Sequence, residues 1–495
     1  MTEKTVRLTI DEAPVEAREG RNLLDLLNER GKGIPHFCYH PGLSVVASCR
    51  QCQVEVAGPG PAPRRLTASC RMTAMEGLSV WTATPAAGDA RRDVLEFLLR
   101  NHPLDCPICD KAGECPLQNY TYAEGQSSSR HEGEKVRLRK RVDLGPVITL
   151  DEERCVLCSR CVRFFEEVTG EAQLGVLSRG LSSMVGTPGD RPLTGEYQGN
   201  IADVCPVGAL TLKKFRSVAR IWNLKTTPST CPLCSRGCST LVDVHRGKVV
   251  RIRPRHDPAV NGYWMCDVGR FGFDDLNAAD RLTAVLVRDA AGVRERGVER
   301  GIAAAAEALR EWGDRGLVLG SPFLTNEEGR ALGALANAIG VAGRFLAPTL
   351  GEGDRILRTG DACPNRRGLT EAGLDPLPVE ELAPALARAS GIFLAGERAL
   401  DFVPPDALSA LSGGTPPAIV LERFPVEWAR IAIPARSWAE KSGTFTNVDG
   451  HARALSPALA PPRGVRAETE VLEALRASLS GGPAVEALAA REERE

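Results

Sequence analysis

The cysteines are the residues of this chain best suited to do chemistry. Fifteen of its sixteen cysteines lie between positions 38 and 266. With one histidine they form four sets of four, here called groups 1 to 4: Cys38, Cys49, Cys52 and Cys70; His102, Cys106, Cys109 and Cys115; Cys155, Cys158, Cys161 and Cys205; Cys231, Cys234, Cys238 and Cys266. Four such ligands suit an iron–sulfur cluster or a tetrahedral zinc ion. Four sites in series suggest a path for electrons.

Groups 1 and 2 differ in spacing and in ligand type. Group 1 has the spacing C-x10-C-x2-C-x17-C, which is close to the C-x4-C-x2-C…C of plant-type [2Fe–2S] ferredoxins but has a longer first loop. Group 2 reads H-x3-C-x2-C-x5-C, and three cysteines with one histidine more often bind zinc. We expect His102 to be a ligand because its cysteine set is otherwise one ligand short. His36, His40 and His131 are expected not to be ligands. Zinc stays open for both groups.

Groups 3 and 4 each place one ligand far along the chain. Group 3 begins C-x2-C-x2-C, the start of a bacterial [4Fe–4S] motif, but Phe165 occupies the position of the next cysteine. The nearest later candidate is Cys205, so we predict one cluster here and not an interlocked pair. Group 4 has the spacing C-x2-C-x3-C-x27-C, which zinc ribbons also use.

Hydrophobic patterns predict the elements that position these groups. At the N-terminus we predict strands over 5–10, 15–18, 53–56 and 65–68, a turn over 11–14 and a helix from Leu23 to Gly31, an order typical of a β-grasp domain. A helix over 89–100 precedes His102, and a strand over 147–150 precedes group 3. In the tail, strands over 317–319, 392–394 and 418–421 alternate with helices over 326–339 and 379–388, which predicts parallel α/β structure.

Composition bounds the class of protein. The 495 residues are enough for several domains, and the net charge of −1 favours neither nucleic acid nor an anionic membrane as a partner. The first residues lack a signal-peptide pattern, and we expect no membrane span. In a cytoplasmic protein, clustered cysteines are ligands more often than disulfides. The chain lacks G-x-G-x-x-G after a strand and G-x-x-x-x-G-K-[ST], so we expect it to bind neither NAD(H) nor flavin itself.

Several motifs together resemble the family of the large iron–sulfur subunit of respiratory complex I, the G subunit of NADH–quinone oxidoreductase, in a short bacterial form. The resemblance covers residues 1 to about 280. It rests on His102-Pro-Leu-Asp-Cys106, Cys155-x2-Cys158-x2-Cys161-Val-Arg-Phe, and Gly199-Asn-Ile-Ala-Asp-Val-Cys205-Pro-Val-Gly-Ala-Leu. The motif Cys266-Asp-Val-Gly-Arg-Phe of group 4, Leu324-Thr-Asn-Glu-Glu328 and Glu440-Lys-Ser-Gly-Thr-Phe-Thr-Asn-Val-Asp-Gly450 are similar to segments of the molybdopterin oxidoreductase superfamily.

This resemblance implies a multidomain α/β and α+β architecture. The implied domains are a [2Fe–2S] ferredoxin-like domain over 1–80, a [4Fe–4S] domain with one histidine and three cysteine ligands over 81–121, a [4Fe–4S] ferredoxin-like domain over 140–220, a [4Fe–4S] domain of molybdopterin-oxidoreductase type over 224–280, and a truncated molybdopterin-oxidoreductase-like α/β domain over 281–495. The tail runs only 229 residues past Cys266, too short for a catalytic molybdenum protein, so we expect an interaction scaffold.

The resemblance also implies a function. Group 1 would hold one [2Fe–2S] cluster and groups 2 to 4 three [4Fe–4S] clusters, with no molybdopterin and no flavin. The chain would relay electrons from the NADH/flavin subunit towards quinone-side iron–sulfur subunits, with group 4 off that route. It would have no substrate-binding active site of its own. It would lie peripherally on the cytoplasmic side of the bacterial inner membrane.

Three other functions remain open from the sequence. A catalytic subunit of an NAD-linked formate dehydrogenase would give a role to Cys363, 97 residues after Cys266, although the surrounding loop and Phe165 argue against it. A diaphorase-side subunit of an NAD-reducing hydrogenase has similar front domains. A zinc-bearing scaffold without enzymatic activity is the plainest alternative.

Overall fold

The computed structural model describes residues 4–60 and 62–480. Residues 481–495, the end of the predicted last domain, lie outside the described part. The backbone contacts divide the chain into two compact units, Met1–Leu224 and Lys225–Glu495. Groups 1 to 3 belong to the first unit, and group 4 and Cys363 belong to the second.

The first unit begins with a mixed sheet packed on one helix. Its first elements are β1 (Thr5–Ile10), β2 (Ala13–Arg18), α1 (Leu23–Glu29), β3 (Gln53–Ala57), β4 (Arg65–Ala68) and β5 (Ser79–Trp81). The strand order is β2-β1-β5-β3-β4, with β1 and β5 parallel and the other pairs antiparallel. The leucines of α1 are buried against alternate residues of β1, β3 and β5. This is the β-grasp arrangement predicted, except that Pro14 lies in β2 and not in the turn.

The rest of the first unit consists of short elements that carry groups 2 and 3. They are α2 (Pro85–Asn101), α3 (Pro116–Glu124), β6 (Val142–Asp143), β7 (Ile148–Leu150), α4 (Arg160–Phe164), β8 (Gly175–Leu177), β9 (Met184–Gly186), α5 (Asn200–Val204) and β10 (Leu210–Leu212). The predicted helix before His102 is α2, which begins four residues earlier than expected, with Thr84 as its N-cap. Strands β6, β7 and β10 form one antiparallel sheet, in which β7 precedes Cys155 and β10 follows Cys205.

The second unit begins with an antiparallel sheet that carries group 4. Its elements are β11 (Lys225–Thr230), β12 (Ser239–His245), β13 (Lys248–Pro254) and α6 (Asp267–Phe271). Strands β11, β12 and β13 pair in sequence order, and the cysteine loop lies between β11 and β12. Sequence patterns alone did not predict these three strands.

A larger α/β core follows. Its elements are β14 (Val285–Asp289), β15 (Gly292–Arg296), α7 (Val298–Trp312), β16 (Gly316–Gly320), α8 (Asn326–Ile339), β17 (Gly343–Ala347), α9 (Arg366–Glu371), β18 (Asp375–Pro378), α10 (Leu382–Leu386), β19 (Gly391–Ala395), α11 (Pro405–Ser412), β20 (Ala418–Glu422), β21 (Ile431–Pro434), β22 (Gly443–Thr446), β23 (Ala452–Leu455) and α12 (Glu468–Leu479). The sheet order is β15-β14-β21-β20-β19-β16-β17-β18.

Strands β16 to β21 are parallel and follow a doubly wound order that reverses between β16 and β19. The predicted α/β tail is therefore confirmed, and α8 has the predicted bounds. At one edge the sheet also contains β14 and β15, which the sequence patterns did not predict and which pair antiparallel. A tight turn joins these two strands, and an antiparallel pair needs no crossover helix.

A cluster of buried charges lies beside this sheet, where strands β19 and β20 end. We call it the buried charge cluster, and it consists of Glu328, Glu397, Arg423, Lys441 and Glu468. The Lys441 ammonium lies 2.9 Å from Glu468, 3.2 Å from Glu328 and 3.7 Å from Glu397. Arg423 lies 3.2 Å from Glu397. Oppositely charged groups this deeply buried compensate each other, and removing one leaves the others unpaired.

Candidate metal centres

The four thiols of group 1 come together at the edge of the β-grasp sheet. Cys38 and Cys49 hydrogen-bond through their side chains, and so do Cys52 and Cys70. The hydrogen bond from Cys49 lowers the pKa of Cys38 to about 5, and that from Cys70 lowers the pKa of Cys52 to about 7. The hydrogen bond with Cys52, burial, and the nearby Cys52, Cys38 and Cys49 raise the pKa of Cys70 well above its ordinary value. These four side chains are thus close enough to act as one ligand set.

In group 2 the three cysteines lie close to one another. The pKa of Cys109 is raised by burial and by Cys106, and that of Cys115 by burial and by Cys109. His102 is the C-cap of α2. The positive charge of Arg154 acts to lower the pKa of both His102 and Cys109. Burial, Arg154 and Lys135 lower the pKa of His102 to about 4. Its imidazole is therefore neutral at pH 7, which is the form that binds a metal.

Segments far along the chain hold the group 2 loop. Arg220 donates to the carbonyl oxygen of Cys109 at 2.8 Å and also to that of Pro107. Arg154 donates to Asp105 at 2.8 Å from its position just before Cys155. The loop of group 2 is therefore in direct contact with the segment that begins group 3. No sequence pattern marked either arginine, because neither belongs to a ligand spacing.

The four thiols of group 3 line a single cavity. Cys155, Cys158 and Cys161 come from a tight loop that enters α4, and Cys205 is the C-cap of α5. Leu157 and Ser159 have positive φ angles of 50° and 57°, so the backbone of the loop turns sharply at these two residues. The Leu157 N–H lies 3.4 Å from the Cys155 sulfur. Burial and the neighbouring Cys205 raise the pKa of Cys158 to about 11, although the charges of Arg160 and Arg163 act in the opposite direction.

The predicted distant ligand of group 3, Cys205, lies at the same cavity as the other three cysteines. Cys205 reaches the cavity because α5 and β10 bring its segment beside α4. Phe165, at the position of the expected fourth cysteine, is buried and packs edge-on against Phe164 with ring centroids 5.6 Å apart. That position belongs to the hydrophobic core and not to the cavity.

The four thiols of group 4 also line one cavity. The Cys231 N–H donates to the carbonyl oxygen of Cys238 at 2.9 Å, which closes the loop between β11 and β12. Cys266 caps α6, and its sulfur accepts from the Gly269 N–H at 3.4 Å. Burial raises the pKa of Cys266 to about 11.

Two loops of the α/β core support group 4. Ser235 donates its N–H to the Asp361 carbonyl oxygen at 3.0 Å and accepts from the Val448 N–H at 2.8 Å. Asn447 donates to the carbonyl oxygen of Arg236 at 3.1 Å. The residues 447–450 belong to a motif that the sequence singled out, but its position against group 4 was not predicted.

Cys363, the sixteenth cysteine, lies in the hydrophobic core of the second unit. It is fully buried, and its thiol lies 3.8 Å from the carbonyl oxygen of Pro322. Burial raises the pKa of this thiol well above its ordinary value. In this setting Cys363 behaves as a small apolar residue.

Two glycines lie so close to the sulfurs that a side chain at either position would collide with a thiol. A Cβ on Gly269 would stand 2.9 Å from the Cys231 sulfur and 3.6 Å from the Cys266 sulfur. A Cβ on Gly208 would stand 2.1 Å from the Cys109 sulfur. The backbone is thus as close to the thiols as it can come, and sets of four sulfur or imidazole donors suit iron–sulfur clusters. Within residues 4–60 and 62–480, no three such side chains converge as ligands of a single metal ion.

Four family models match the chain in succession. A 2Fe-2S iron-sulfur cluster binding domain matches residues 3–85, and the NADH-ubiquinone oxidoreductase-G iron-sulfur binding region matches 91–130. The ferredoxin-like domain of NADH-quinone oxidoreductase subunit 3 matches 145–211, and the molybdopterin oxidoreductase Fe4S4 domain matches 224–278. The predicted fold class, with one [2Fe–2S] domain and several [4Fe–4S] domains, is confirmed.

Curated relatives match the same part of the chain. The NADH-quinone oxidoreductase G subunit of Streptomyces coelicolor is 45% identical over 295 residues, which are 59% of this chain and 34% of the relative. The corresponding protein of Mycobacterium bovis is 41% identical over 57% of this chain and 35% of the relative. NADH-quinone oxidoreductase subunit 3 of Thermus thermophilus is 36% identical over 68% of this chain and 46% of the relative. The chain thus spans between a third and a half of the length of these relatives.

Among solved structures, an NAD+-reducing [NiFe]-hydrogenase in its H2-reduced state has a TM-score of 0.39 and 33% identity, covering 44% of this chain and 91% of that one. The family models and the curated relatives agree with the motifs that the sequence analysis singled out. For the matched residues the resemblance is therefore confirmed: this part of the chain carries the iron–sulfur domains of the family of the NADH-quinone oxidoreductase G subunit.

Proposed function

We propose that the chain is an electron-relay subunit of an NADH-quinone oxidoreductase. The observation that carries this proposal is that groups 3 and 4 each place their four predicted thiols around one cavity. Group 1 would hold one [2Fe–2S] cluster, and groups 2, 3 and 4 would each hold one [4Fe–4S] cluster. Such clusters supply one-electron transfer, and the protein holds them in place and excludes water from them.

The same proposal covers partners and location. The named relatives are subunits of NADH-quinone oxidoreductase, which supports assembly with a flavin/NADH-binding subunit on one side and with quinone-side iron–sulfur subunits on the other. The chain would lie on the cytoplasmic side of the bacterial inner membrane. In the described residues no helix is long and apolar enough to span a membrane. The five-domain division, with a scaffold role for the last domain, is part of this proposal.

Iron analysis tests the proposal directly. Purified full-length protein should contain about fourteen irons and as many acid-labile sulfides per chain, two in group 1 and four in each other group. EPR of the reduced protein should resolve one [2Fe–2S] signal beside [4Fe–4S] signals. Protein with stoichiometric zinc and no iron would defeat the proposal, and molybdenum with formate oxidation would favour the formate dehydrogenase alternative.

The role of His102 is tested by replacing it with cysteine. His102→Cys should keep the group 2 cluster and lower its midpoint potential, because a thiolate adds negative charge where imidazole is neutral. The measurement is an EPR-monitored redox titration. His131→Cys is the matched control, since His131 is expected not to be a ligand, and it should leave every potential unchanged. An unaltered group 2 signal in His102→Cys would remove His102 from the ligand set.

A further inference from the structure

The loop that begins group 1 is packed on the segment that forms group 3. Ser44, six residues after Cys38, donates its backbone N–H to Glu167 at 2.8 Å, and its hydroxyl also donates to Glu167. Glu167 lies in the turn of helix that continues α4. Residues about 120 apart in the sequence therefore join two ligand loops.

Arg163 forms the most direct connection between these loops. One nitrogen of its guanidinium donates to the carbonyl oxygen of Cys38 at 2.5 Å and to that of Cys158 at 3.4 Å. The other terminal nitrogen donates to the carbonyl oxygen of Ser44. A single side chain thus bonds to the backbone of a predicted ligand from each group.

Arg160, one turn earlier on α4, repeats this pattern. It donates to the carbonyl oxygen of Tyr39, next to Cys38, and to that of Val204 at 3.1 Å, next to Cys205. Arg160 and Arg163 are 8% and 7% exposed. Both therefore carry full positive charges away from water.

The acceptors of these two arginines do not balance their charge. The hydrogen bonds described above all end on neutral backbone carbonyls, and a buried cation without a counter-charge is strongly destabilising. The nearby sulfurs provide the missing charge, because Arg160 interacts electrostatically with Cys158, Cys205 and Cys38, which belong to both groups. Thiolates that hold a cluster are anionic and would compensate the pair.

We propose that Arg160 and Arg163 are a positioning pair that fixes group 1 against group 3 and supplies positive charge to both. This inference rests on the proposed function, since it needs clusters in the two groups. A reduced cluster carries one more negative charge than an oxidised one. Positive charge held beside both clusters therefore stabilises the reduced state of each and raises both midpoint potentials.

The test separates the charge of the pair from its geometry. In full-length protein with its clusters, Arg163→Met should raise the ratio of oxidised to reduced cluster about tenfold at a fixed potential in both groups. For a one-electron couple this is a fall of about 59 mV in midpoint potential. Arg163→Lys keeps the charge but cannot bond to both loops. It should leave the potentials close to wild type and alter the magnetic interaction between the two reduced clusters, seen as a change in EPR relaxation of the [2Fe–2S] signal.

Arg91 provides a matched control. It is 7% exposed and donates to the carbonyl oxygens of Gln53 and Thr82. Unlike Arg163 it also pairs with a carboxylate, Glu124, at 2.7 Å, and none of these bonds ends on the segments that carry group 3. Arg91→Met should lower stability and leave the group 3 potential and the magnetic interaction unchanged.

The possible results separate failure of the proposed function from failure of the positioning pair. Wild-type protein without iron would defeat the proposed function. Iron-loaded Arg163 variants with unchanged potentials and relaxation, or with changes equal to those of Arg91→Met, would overturn the positioning pair alone. If Arg163→Met does not fold, Arg160→Lys and Arg163→Lys decide, and unchanged relaxation in both overturns the proposal. Loss of the group 1 cluster with group 3 unaltered would also overturn it, because the arginine would then support one loop only.

Discussion

Replacing Gly208 by alanine is expected to remove the group 2 cluster from a protein that keeps the others. The added Cβ would stand 2.1 Å from the Cys109 sulfur, 3.3 Å from the Lys111 side chain and 3.7 Å from that of Arg154. No real Cβ tolerates the first of these distances, so Cys109 or the backbone after Cys205 must move. Iron content should fall by about four per chain, with loss of one [4Fe–4S] EPR signal.

The reason for this sensitivity is that Cys109 has little freedom to move. Its side chain is buried, and Arg220 holds its carbonyl oxygen at 2.8 Å. Overpacking of a rigid interior costs about 1–3 kcal/mol of stability, and a displaced ligand also loses its bond to the metal. We expect group 3 to be disturbed less than group 2, because Cys205 itself need not shift.

A second glycine provides the control for Gly208→Ala. In Gly88→Ala the new Cβ meets only the end of the Arg92 side chain at 3.5 Å. Gly88 lies inside α2, where alanine is favoured over glycine by about 1 kcal/mol. Gly88→Ala should therefore keep all its iron and be slightly more stable. Full iron content in Gly208→Ala would contradict the close packing of groups 2 and 3.

Replacing Lys441 by methionine is expected to be the most destabilising single change in the second unit. The side chain is 3% exposed, and it compensates Glu328, Glu397 and Glu468. Removing one partner from a buried ion cluster leaves charge without compensation and costs about 3–5 kcal/mol. Urea unfolding of the full chain, followed by fluorescence and circular dichroism, should show a lower midpoint for the second unit.

The effect of Lys441→Met should also depend on pH. Burial raises the pKa of Glu397 to about 7 and that of Glu468 to about 8, from an ordinary value of 4.5. The folded state therefore binds more protons than the unfolded state between pH 4.5 and 8, so these two groups lower stability as pH rises through that window. Without the Lys441 charge both pKa values should rise further, and the loss of stability should be larger at about pH 8 than at about pH 5.

Lys248 is the control for Lys441→Met. It lies in the same unit at the start of β13, and its side chain is exposed. Lys248→Met should change the free energy of unfolding by no more than about 0.5 kcal/mol at either pH. A similar loss of unfolding free energy in both variants would show that the buried charge cluster is not the cause of the destabilisation. A loss for Lys441→Met that does not grow with pH would show the same.

Much of the fold could be predicted from the sequence because the signals are local. The alternation over 5–10 gave β1 with the same bounds, and the helical pattern over 326–339 gave α8. Strands β11 to β13 were missed, and the β12–β13 pair is irregular in itself, since its register shifts between Asp243 and Val244. The antiparallel edge formed by β14 and β15 was missed too, because pairing partners are chosen by packing between distant segments.

For the candidate sites, too, the sequence predicted the local features and not the long-range ones. The sequence by itself predicted the four sets of donors, because the two residues inside each C-x2-C core bring its two thiols to one side of a loop. It also selected Cys205 over the position of Phe165. The roles of all sixteen donors as ligands stay a prediction for the iron analysis.

Only the tertiary structure decided how the groups are held and joined. Gly208 lies against Cys109, Arg163 bonds to Cys38 and Cys158, and Asn447 supports the loop of group 4. Most of these contacts link residues about 100 to 210 positions apart, and no local spacing encodes them. Ligand identity follows from short-range geometry of the backbone, whereas the packing and charge around each ligand set arise only when distant segments come together in the folded chain.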